Sequence, residues 1–467
     1  MKFKKIKHIH FVGIGGAGMS GIAEVLFNLG YKITGSDLKT SETTQRLQNL
    51  GIRVFNQHQE ENVAKSDVVV ISSAIKDQNP EVVFAKRNKI PVVRRAEMLG
   101  ELMRMKYGIG IAGTHGKTTT TSMVGEILSE GGLDPTIVVG GRVIGLDAHA
   151  RLGNGEFLVA EADEFDRSFL RLTPTIAVVT TLEAEHLDYY KDFDEIKSAF
   201  LEFVNKVPFY GRVVICLDEQ SLVDLLPKIE RPITTYGFSP QADLQPNSLS
   251  FRENHSRFGA KLRGKELGEI KLSVPGIHNV KNSLAAIAVG LELEIPWEKI
   301  QKGLSDFKGV SRRFEIKGIK KGVMVVDDYA HHPTEIGATL KGARSGWKKR
   351  IVCVFQPHLF SRTRDFHKEF GRSFLDSDIL IVTDVYPARE EPIPGVSGEL
   401  IYLAAKEYGH KNAFYVPQKE EVAPFLLKIV KENDMVITMG AGDIHKTGTE
   451  LLKMLTGGKA GNKFTSP

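Results

Sequence analysis

The sequence contains little cysteine or tryptophan, with two residues of each among 467. Cys216 and Cys353 each lie within a short apolar run typical of a buried strand, and neither has a cysteine or histidine at metal-ligand spacing. The chain therefore shows no disulfide framework and no cysteine-based metal site. We expect both thiols to fill the core.

The charge balance and the lengths of the hydrophobic runs exclude two further classes of protein. The 62 lysines and arginines stand against 57 acidic residues, which leaves a net charge of +5. No long basic run with interleaved aromatic residues is present, so nucleic acid is not an expected partner. No apolar stretch approaches the length of a membrane span, and the basic first residues lack a signal-peptide cleavage site. We expect a cytoplasmic protein without a membrane partner.

The length exceeds what one hydrophobic core usually serves, and three domains of ordinary size fit it. Strands alternate with helical stretches, so the predicted class is α/β. We predict a Rossmann-like domain over residues 1–107, a central P-loop ATPase α/β sheet with an added β segment over residues 108–312, and a second Rossmann-like domain over residues 313–467. The tail from about residue 457 is predicted to be disordered.

The centre of the chain has the order strand, glycine turn and helix. An apolar run ends at Ala112, a tight turn follows, and helical spacing begins at Lys117. Such a turn directs backbone N–H groups and the helix dipole at one point, where Lys117 adds a charge and Thr118 a hydroxyl for Mg²⁺. This predicts a nucleotide triphosphate site, although Ile111 replaces the first glycine of the full P-loop pattern; the alternative is an ordinary glycine turn. The predicted nucleotide contacts are Gly113, Thr114, His115, Gly116, Lys117, Thr118 and Thr119.

Carboxylates follow two apolar strands of the central region. Glu161 comes directly after FLVA, and His186 lies among three carboxylates after IAVVTT. Because Mg²⁺ prefers oxygen ligands and strand ends of a parallel sheet meet at one edge, Glu161 is our first choice for a metal ligand. His186 is either a second metal or substrate ligand or a structural histidine.

Two asparagines share one face at the start of a later helix. Asn279 and Asn282 are three residues apart, so both amides point the same way. They suit an adenine edge, but spacing alone favours a capping role.

The N-terminal region carries glycines 13, 15 and 18 between a strand and a helix, with Asp37 at the end of the next strand. This arrangement lets a diphosphate approach the helix and places Asp37 near a ribose hydroxyl. NAD and a UDP-sugar both satisfy it, so the motif leaves both open. Ser72 and Ser73, after a third strand, either complete the anion site or cap a turn.

In residues 313–467, polar residues follow four strands at the edge where α/β folds bind ligands. Arg362 and Arg364 carry planar guanidinium groups suited to a carboxylate or phosphate. The alternative is that both arginines lie on a solvated helix start and that His331 and His332 are turn residues.

Taken in order, these segments identify a resemblance. The chain resembles the Mur ligases over nearly its whole length. GTHGKTTT is shared by Mur ligases and folylpolyglutamate synthases, whereas DDYAHHPTEI and QPHLFSRTR indicate the alanine-adding branch. The other matching segments are GIGGAGMSG, EADEFDRSFL, TTLEAEHLDYY, GIHNVKNSLAA, GVSRRFE and MGAGDI.

The resemblance implies an N-terminal domain for UDP-N-acetylmuramate, a central ATPase and a C-terminal domain that closes over ATP and binds L-alanine. It implies ATP and Mg²⁺, and a lactyl carboxylate activated as an acyl phosphate before the amine attacks. We expect a monomer or a homodimer. The alternatives are a murein-peptide recycling ligase on the same UDP-sugar, an NAD-dependent dehydrogenase, and a non-catalytic nucleotide-regulated protein.

The resemblance also assigns roles to matching positions. Leu359 occupies a place where many relatives have arginine, so the carboxylate contact is assigned to Arg362 or Arg364. The implied catalytic residues are Lys117, His186, His331 and Arg362. The implied metal ligands are Thr118, Glu161 and His186, and the further nucleotide contacts are Asn279, Asn282, Arg313 and Asp328. The implied substrate contacts are Gly15, Gly16, Ala17, Gly18, Met19, Asp37, Ser72, Ser73, His331, Arg362 and Arg364.

Overall fold

The computed structural model describes residues 5–72, 74–140, 150–165, 167–185, 189–388 and 390–457. Ser73, His186 and the predicted tail beyond residue 457 lie outside the described residues. Across the described residues, no helix combines the length and apolar character needed to cross a bilayer. The described residues form two compact units. The first unit comprises those of Met1–Leu249, Arg257–Ser273 and Asn279–Val310, and the second those of Ser250–Ser256, Val274–His278 and Ser311–Pro467.

A five-stranded sheet begins the first unit, and the pairs that fix its order, β3-β2-β1-β4-β5, are parallel. All five residues of the central strand, HIHFV, are buried, as expected where helices cover both faces of a parallel sheet. The order reverses beside this strand, which is where such folds bind ligands. The Rossmann-like prediction is confirmed. Its elements are β1 (His8–Val12), α1 (Ala17–Asn28), β2 (Lys32–Ser36), α2 (Glu42–Asn49), β3 (Arg53–Phe55), β4 (Val68–Ile71), α3 (Pro80–Arg87), β5 (Val92–Arg94) and α4 (Arg95–Met103), with a 3₁₀ turn at Glu60–Asn62.

The central sheet has ten strands in the order β15-β14-β13-β12-β11-β10-β6-β9-β7-β8. Its first α-helix runs from Lys117 to Glu130, as the sequence predicts. The last three strands in chain order are the added β segment. The elements are β6 (Tyr107–Ala112), α5 (Lys117–Glu130), β7 (Thr136–Val138), β8 (Ala150–Arg151), β9 (Phe157–Glu161), β10 (Ile176–Val179), α6 (Phe193–Asn205), β11 (Arg212–Cys216), α7 (Gln220–Val223), β12 (Ile233–Tyr236), β13 (Leu244–Arg252), β14 (His255–Leu262), β15 (Lys265–Leu272), α8 (Ile277–Glu292) and α9 (Trp297–Asp306), with 3₁₀ turns at Ser168–Arg171 and Leu226–Lys228.

The second unit is built on a six-stranded sheet in the order β16-β17-β21-β18-β19-β20, in which β16 is antiparallel to β17 and the other pairs are parallel. Val326 and Val325 belong to separate apolar clusters, as expected from the alternation of side chains along a strand, so both faces of the sheet are covered. The predicted α/β architecture is confirmed, whereas the boundaries at 107/108 and 312/313 stay predictions. The elements are β16 (Glu315–Lys320), β17 (Val323–Asp328), α10 (Pro333–Gly346), β18 (Arg350–Phe355), α11 (Phe360–Ser373), β19 (Ile379–Val382), α12 (Glu399–Glu407), β20 (Ala413–Tyr415), α13 (Lys419–Ile429), β21 (Asp434–Met439) and α14 (His445–Gly457).

Both cysteines lie inside strands, as predicted. Cys216 ends β11 and Cys353 lies in β18, and both are buried and free. Burial raises the pKa of each thiol, that of Cys216 to about 12, so neither is a thiolate at neutral pH. They serve as core side chains.

Candidate active site

The turn between β6 and α5 needs glycine at two positions. Gly113 has φ +135° and Gly116 φ +81°, both in the region that favours glycine. A Cβ at Gly113 would lie 2.1 Å from Thr180 Oγ1. The backbone N–H of His115 donates to Thr181 Oγ1 at 2.8 Å, which ties the turn to the strand end beside it. Contacts within the protein therefore set the shape of this loop.

Lys117, the first residue of α5, is paired with a buried carboxylate. Its Nζ donates to both oxygens of Glu164, at 2.8 and 2.9 Å, and to the Gly113 carbonyl at 2.5 Å. Burial alone would lower the pKa of Lys117, but the carboxylates of Glu164 and Asp163 outweigh it and raise this pKa. Burial raises the pKa of Glu164 to about 7 against the opposing effect of Lys117. Lys117, which is predicted to bind phosphate, is thus paired with the carboxylate of Glu164.

Thr118 and Glu161 are the predicted metal ligands that lie among the described residues, and their side chains are in contact with each other. The Thr118 hydroxyl donates to the carboxylate of Glu161, whose Oε1 also accepts from the Gly140 N–H at 2.8 Å. Burial raises the pKa of Glu161. A hydroxyl and a carboxylate beside a phosphate loop are the oxygen donors that Mg²⁺ prefers, so this pair fits that ion.

The two asparagines of α8 lie against the same loop. Asn282 Nδ2 donates to Asn279 Oδ1 at 3.3 Å, and Asn282 Oδ1 lies 2.5 Å from the place where a Cβ of Gly116 would be. Both asparagines are buried. The structure thus brings these amides to the loop before α5, and the contact with adenine that the resemblance implies stays a prediction.

The N-terminal glycine turn is shaped by Asp37. Its Oδ2 accepts from the Gly15 N–H at 2.9 Å, and a Cβ at Gly15 would lie 2.8 Å from the same oxygen. Gly13 has φ +79°, and a Cβ there would lie 2.9 Å from Ser72 Oγ. Asp37 and Ser72 therefore both border this turn, as the sequence predicts.

A basic cleft of about 620 Å³ lies next to this turn. Arg95 connects the two, because its Nη1 lies 3.1 Å from the place where a Cβ of Gly18 would be. Arg95 also faces the Asp163 carboxylate at 3.6 Å. The cationic residues of the basic cleft outnumber its acidic ones, so it favours an anion. The cations are Arg94, Arg95, Arg167, Arg171 and Lys206, and the acids are Glu97 and Glu202.

In the second unit, Glu335 organises a cluster of predicted residues. Its carboxylate accepts from the backbone N–H of His331 at 3.0 Å and from Arg313 Nη1 at 3.2 Å. The His331 ring lies edge-on to Tyr329, and the Arg313 guanidinium lies 5.3 Å from the centre of the same ring. The cluster presents an imidazole beside a half-buried cation.

Asp328 ends the strand that leads into this cluster. Its two oxygens accept from the backbone N–H groups of Phe314 and Ala330, at 2.8 and 2.7 Å. Burial raises the pKa of Asp328 to about 6, although the charge of Arg313 lowers it. Asp328 thus supports the backbone here, and its predicted nucleotide contact stays a prediction.

The two predicted arginines of α11 have different surroundings. Arg364 donates through Nε and Nη2 to Asp365, at 2.7 and 3.0 Å, and its side chain is 55% exposed. Arg362 lies half-buried in the first turn of the same helix. Leu359, which precedes α11, has φ +72°, an unfavourable value for a branched residue. Of the two guanidinium groups, that of Arg362 is the better candidate for a ligand.

Comparison with known protein families shows which family this chain belongs to. The sequence models of three Mur ligase regions match successive parts of the chain: the Mur ligase family catalytic domain at residues 8–107, the middle domain at residues 111–290 and the glutamate ligase domain at residues 312–442. The chain belongs to the Mur ligase family.

Individual relatives of this Mur ligase match over nearly their full length. The UDP-N-acetylmuramate--L-alanine ligase of Geotalea uraniireducens is 56% identical over 455 residues, covering 97% of this chain and 99% of the relative. The solved UDP-N-acetylmuramate-alanine ligase of Thermotoga maritima has a TM-score of 0.82 at 30% identity and covers 97% of this chain and 99% of that one. A murein peptide ligase of Psychrobacter arcticus has a TM-score of 0.71 at 25% identity, with coverage of 97% and 100%.

Within the first unit of this Mur ligase, the structure brings together three predicted sets: the loop from Gly113 to Thr119, the Thr118–Glu161 pair, and the two asparagines of α8. Within the second unit it brings together His331 and Arg313. The individual roles stay predictions, and those of Ser73 and His186 concern positions outside the described residues.

Sequence reasoning missed several residues that contact the predicted ones. Glu164 was one carboxylate in EADEFD, with nothing to single it out as the partner of Lys117. Thr180 and Thr181 stood at a strand end without an assigned role. Arg95 could have been predicted from the sequence. The segment RRAEML follows the last strand of the Rossmann-like sheet, and polar residues that follow such strands are candidates for ligand contacts.

Proposed function

We propose that this Mur ligase joins L-alanine to the lactyl carboxylate of UDP-N-acetylmuramate at the expense of ATP. The observation that carries the proposal is the phosphate loop with Lys117 at its helix start and the Thr118–Glu161 pair beside it. The relatives named UDP-N-acetylmuramate--L-alanine ligase support the choice of both substrates.

The first step activates the carboxylate. An oxygen of the lactyl carboxylate attacks the γ-phosphorus of ATP, the bond to the bridging oxygen breaks, and ADP leaves behind an acyl phosphate. Lys117 stabilises the charge that develops on the phosphate oxygens. To do so it exchanges the carboxylate of Glu164 for phosphate.

We assign Mg²⁺ to Thr118 and Glu161, where it would neutralise charge on the ATP phosphates. The loop from Gly113 to Thr119 supplies N–H donors to those phosphates, and Asn279 and Asn282 supply amides to the base. The metal assignment is supported by the contact between Thr118 and Glu161, and the assignment of the asparagines to the base follows from the resemblance.

We assign the UDP-sugar to the N-terminal glycine turn with Asp37 and Ser72. The basic cleft next to Gly18 adds positive charge where a diphosphate or a carboxylate needs it. No nucleic acid or membrane partner is needed for this activity, which we place in the cytoplasm, with the enzyme acting as a monomer or homodimer.

We assign L-alanine to His331 and Arg362 in the second unit. Once the ammonium group has lost a proton, the amine nitrogen attacks the acyl carbon. This attack forms the C–N bond, and the tetrahedral species then collapses to the amide as the C–O bond to phosphate breaks and the nitrogen loses a proton to the released phosphate. Arg362 holds the carboxylate of the amino acid through its planar guanidinium.

The comparisons do not favour the murein-peptide alternative. The murein peptide ligase of Psychrobacter arcticus is 25% identical, against 56% for the alanine ligase of Geotalea uraniireducens at the same coverage of this chain.

The deciding experiment is phosphate release from ATP with UDP-N-acetylmuramate, with L-alanine supplied or withheld. Glycine, L-serine and the murein tripeptide are tested in parallel, and Lys117→Ala is the inactive control. We expect release that depends on both the sugar nucleotide and L-alanine. If the tripeptide replaces alanine, the enzyme is the recycling ligase; if nothing stimulates release, the loop does not serve catalysis.

A further inference from the structure

A buried network of polar side chains lies beneath the N-terminal glycine turn, on strands β1 and β2 and helix α3. His8 Nε2 and His10 Nδ1 each lie 2.8 Å from Thr34 Oγ1. His10 Nε2 lies 3.6 Å from the carboxylate of Glu81, and both side chains are fully buried. The contacts of this network therefore lead from His8 through Thr34 and His10 to Glu81.

The contacts of His8 and Thr34 decide which ring nitrogens of this network carry protons. His8 Nδ1 lies 2.8 Å from the Lys65 carbonyl, which only accepts, so this nitrogen is protonated. Burial lowers the pKa of His8, so its ring is neutral and Nε2 accepts. The Thr34 hydroxyl then donates to His8 and accepts from His10 Nδ1.

His10 lies between Thr34 and Glu81 in this network. Its Nδ1 contacts Thr34 Oγ1, and its Nε2 faces the carboxylate of Glu81. Burial raises the pKa of Glu81, but its neighbours His10, Ser36 and Asn62 outweigh this effect, so the pKa of Glu81 lies below its ordinary value.

Glu81 is surrounded by donors. Its oxygens accept from Ser36 Oγ and Asn62 Nδ2, each at 2.6 Å, and from the Gln59 N–H at 3.4 Å. His58 Nδ1 lies 3.2 Å away. Asn62 Nδ2 also donates to a carbonyl, which fixes the orientation of its amide. Both oxygens of Glu81 are thus held by neighbouring side chains.

The network ends at the glycine turn itself. Ser36, whose hydroxyl donates to Glu81, accepts through its carbonyl from the N–H groups of Gly13 and Ile14, at 2.8 and 3.1 Å. The next residue, Asp37, accepts from the Gly15 N–H. The end of β2 thus connects Glu81 to the backbone that forms the turn.

We propose that the buried His10–Glu81 pair is a positioning element of the UDP-sugar site, because Glu81 holds Ser36 and through it the glycine turn. The proposal rests on the proposed function for the identity of the ligand. The pair does not touch the ligand; it fixes the residue that carries the turn.

The charges that face this network come from several elements. His58 is the other histidine at Glu81, and its Nδ1 also lies 2.9 Å from Ser36 Oγ. The charges of Lys32 on β2 and of Asp67 before β4 affect the pKa of His8, which lies at the opposite end of the network from Glu81. Among the described residues, Glu81 is the acidic group that the structure records at His10.

The positioning role is tested by steady-state kinetics of Glu81→Gln and Thr34→Val. The glutamine presents an NH₂ group to donors, so we expect the KM for UDP-N-acetylmuramate to rise about tenfold, with kcat and the KM for ATP nearly unchanged. Thr34→Val removes the hydroxyl between the two rings and is expected to raise the same KM by a smaller factor. It provides the readout if Glu81→Gln does not fold.

The control is Glu24→Gln, which removes a carboxylate paired with Arg46 in the same domain, outside this network. Its kinetics are expected to equal those of the wild type. A fall in kcat without a change in the KM for the sugar nucleotide, in a folded variant, contradicts the positioning role. If the wild type itself lacks ligase activity, the proposed function fails, while calorimetric binding of UDP-N-acetylmuramate to the wild type and to Glu81→Gln still tests the positioning role.

Discussion

Lys117 and Glu164 form a two-oxygen ion pair inside the phosphate loop, with Nζ to oxygen distances of 2.8 and 2.9 Å. The Glu164 carboxylate also lies in a segment held by Tyr190, whose hydroxyl donates to its carbonyl at 2.6 Å. A nucleotide that uses Lys117 must therefore compete with a carboxylate fixed by its own backbone. In the proposed mechanism, the binding of phosphate to Lys117 and the release of Glu164 are therefore one exchange.

Glu164→Gln should strengthen nucleotide binding. The neutral amide competes less well for Lys117, so we expect the Kd for ADP to fall by about three- to tenfold, the equivalent of about 1 kcal/mol. Isothermal titration calorimetry of the folded variant measures this. Glu195→Gln, which removes a half-exposed partner of Arg167, is the matched control and should leave the Kd unchanged. Weaker ADP binding by Glu164→Gln would mean that Glu164 contacts the bound nucleotide or its metal.

Lys117→Ala should reduce kcat by several orders of magnitude while the fold remains intact. The reason is the loss of the cation that stabilises charge on the transferred phosphoryl group. Because the substitution leaves Glu164 buried without its cation, Lys117→Ala/Glu164→Gln should recover thermal stability but not activity. Phosphate release and circular dichroism are the measurements. Near-normal turnover in either variant would remove the loop from catalysis.

The sequence predicts the elements of the phosphate site because local signals coincide there. An apolar run, two glycines and a Lys-Thr pair give the strand, the turn and the helix start at Lys117. Asp37 and Ser72 were predicted at the first glycine turn for the same reason, since each directly follows a strand. Parallel sheets bring such strand ends to one edge, so spacing along the chain converts into proximity.

Pairings between distant segments could not be predicted in this way. Glu164 and Lys117 are 47 residues apart, and EADEFD offers four carboxylates of equal chemical type. The choice among them depends on where a loop turns after β9, which no local pattern encodes. The same holds for Glu81, whose partners His10 and Ser36 lie on strands far from it in sequence.

Glu161→Gln should weaken the dependence on Mg²⁺. Replacing one carboxylate oxygen by an amide nitrogen removes a charged hard ligand, so we expect the Mg²⁺ concentration for half-maximal activity to rise about tenfold or more. The measurement is phosphate release at fixed ATP across a Mg²⁺ titration. Activity should disappear in both proteins when EDTA exceeds the metal. An unchanged Mg²⁺ titration would move the metal away from Glu161.

Arg362→Ala and Arg364→Ala should differ. The first should raise the KM for L-alanine by about tenfold or more and leave the KM for ATP nearly unchanged, because it removes the proposed partner of the amino-acid carboxylate. The second removes a side chain that is 55% exposed and paired with Asp365, so we expect little change. Steady-state kinetics with each substrate varied separates the two. A rise in the KM for ATP in Arg362→Ala would assign this residue to the phosphates instead.

The buried carboxyl of Asp328 should make the second unit less stable as the pH rises. Its pKa is raised from 3.8 to about 6 by burial, so its contribution to the free energy of unfolding is fully present below about pH 4 and is lost as the pH passes through 6. The shift corresponds to about 3 kcal/mol, which Asp328→Asn should remove from the pH dependence. Urea unfolding from pH 4 to 7 measures it through Trp347, buried in the second unit, in a Trp297→Phe background.

Asp378 provides the opposite sign as a control for this pH experiment. Burial raises its pKa, but hydrogen bonds from Arg344 and the Ile351 N–H outweigh it, so the pKa lies below the ordinary value. Its contribution to stability is present above about pH 4 and is lost as the pH falls. The free-energy difference between wild type and Asp378→Asn should therefore grow with pH, whereas that between wild type and Asp328→Asn should shrink. Parallel pH curves for wild type and Asp328→Asn would show that Asp328 has the same pKa in the folded and unfolded protein.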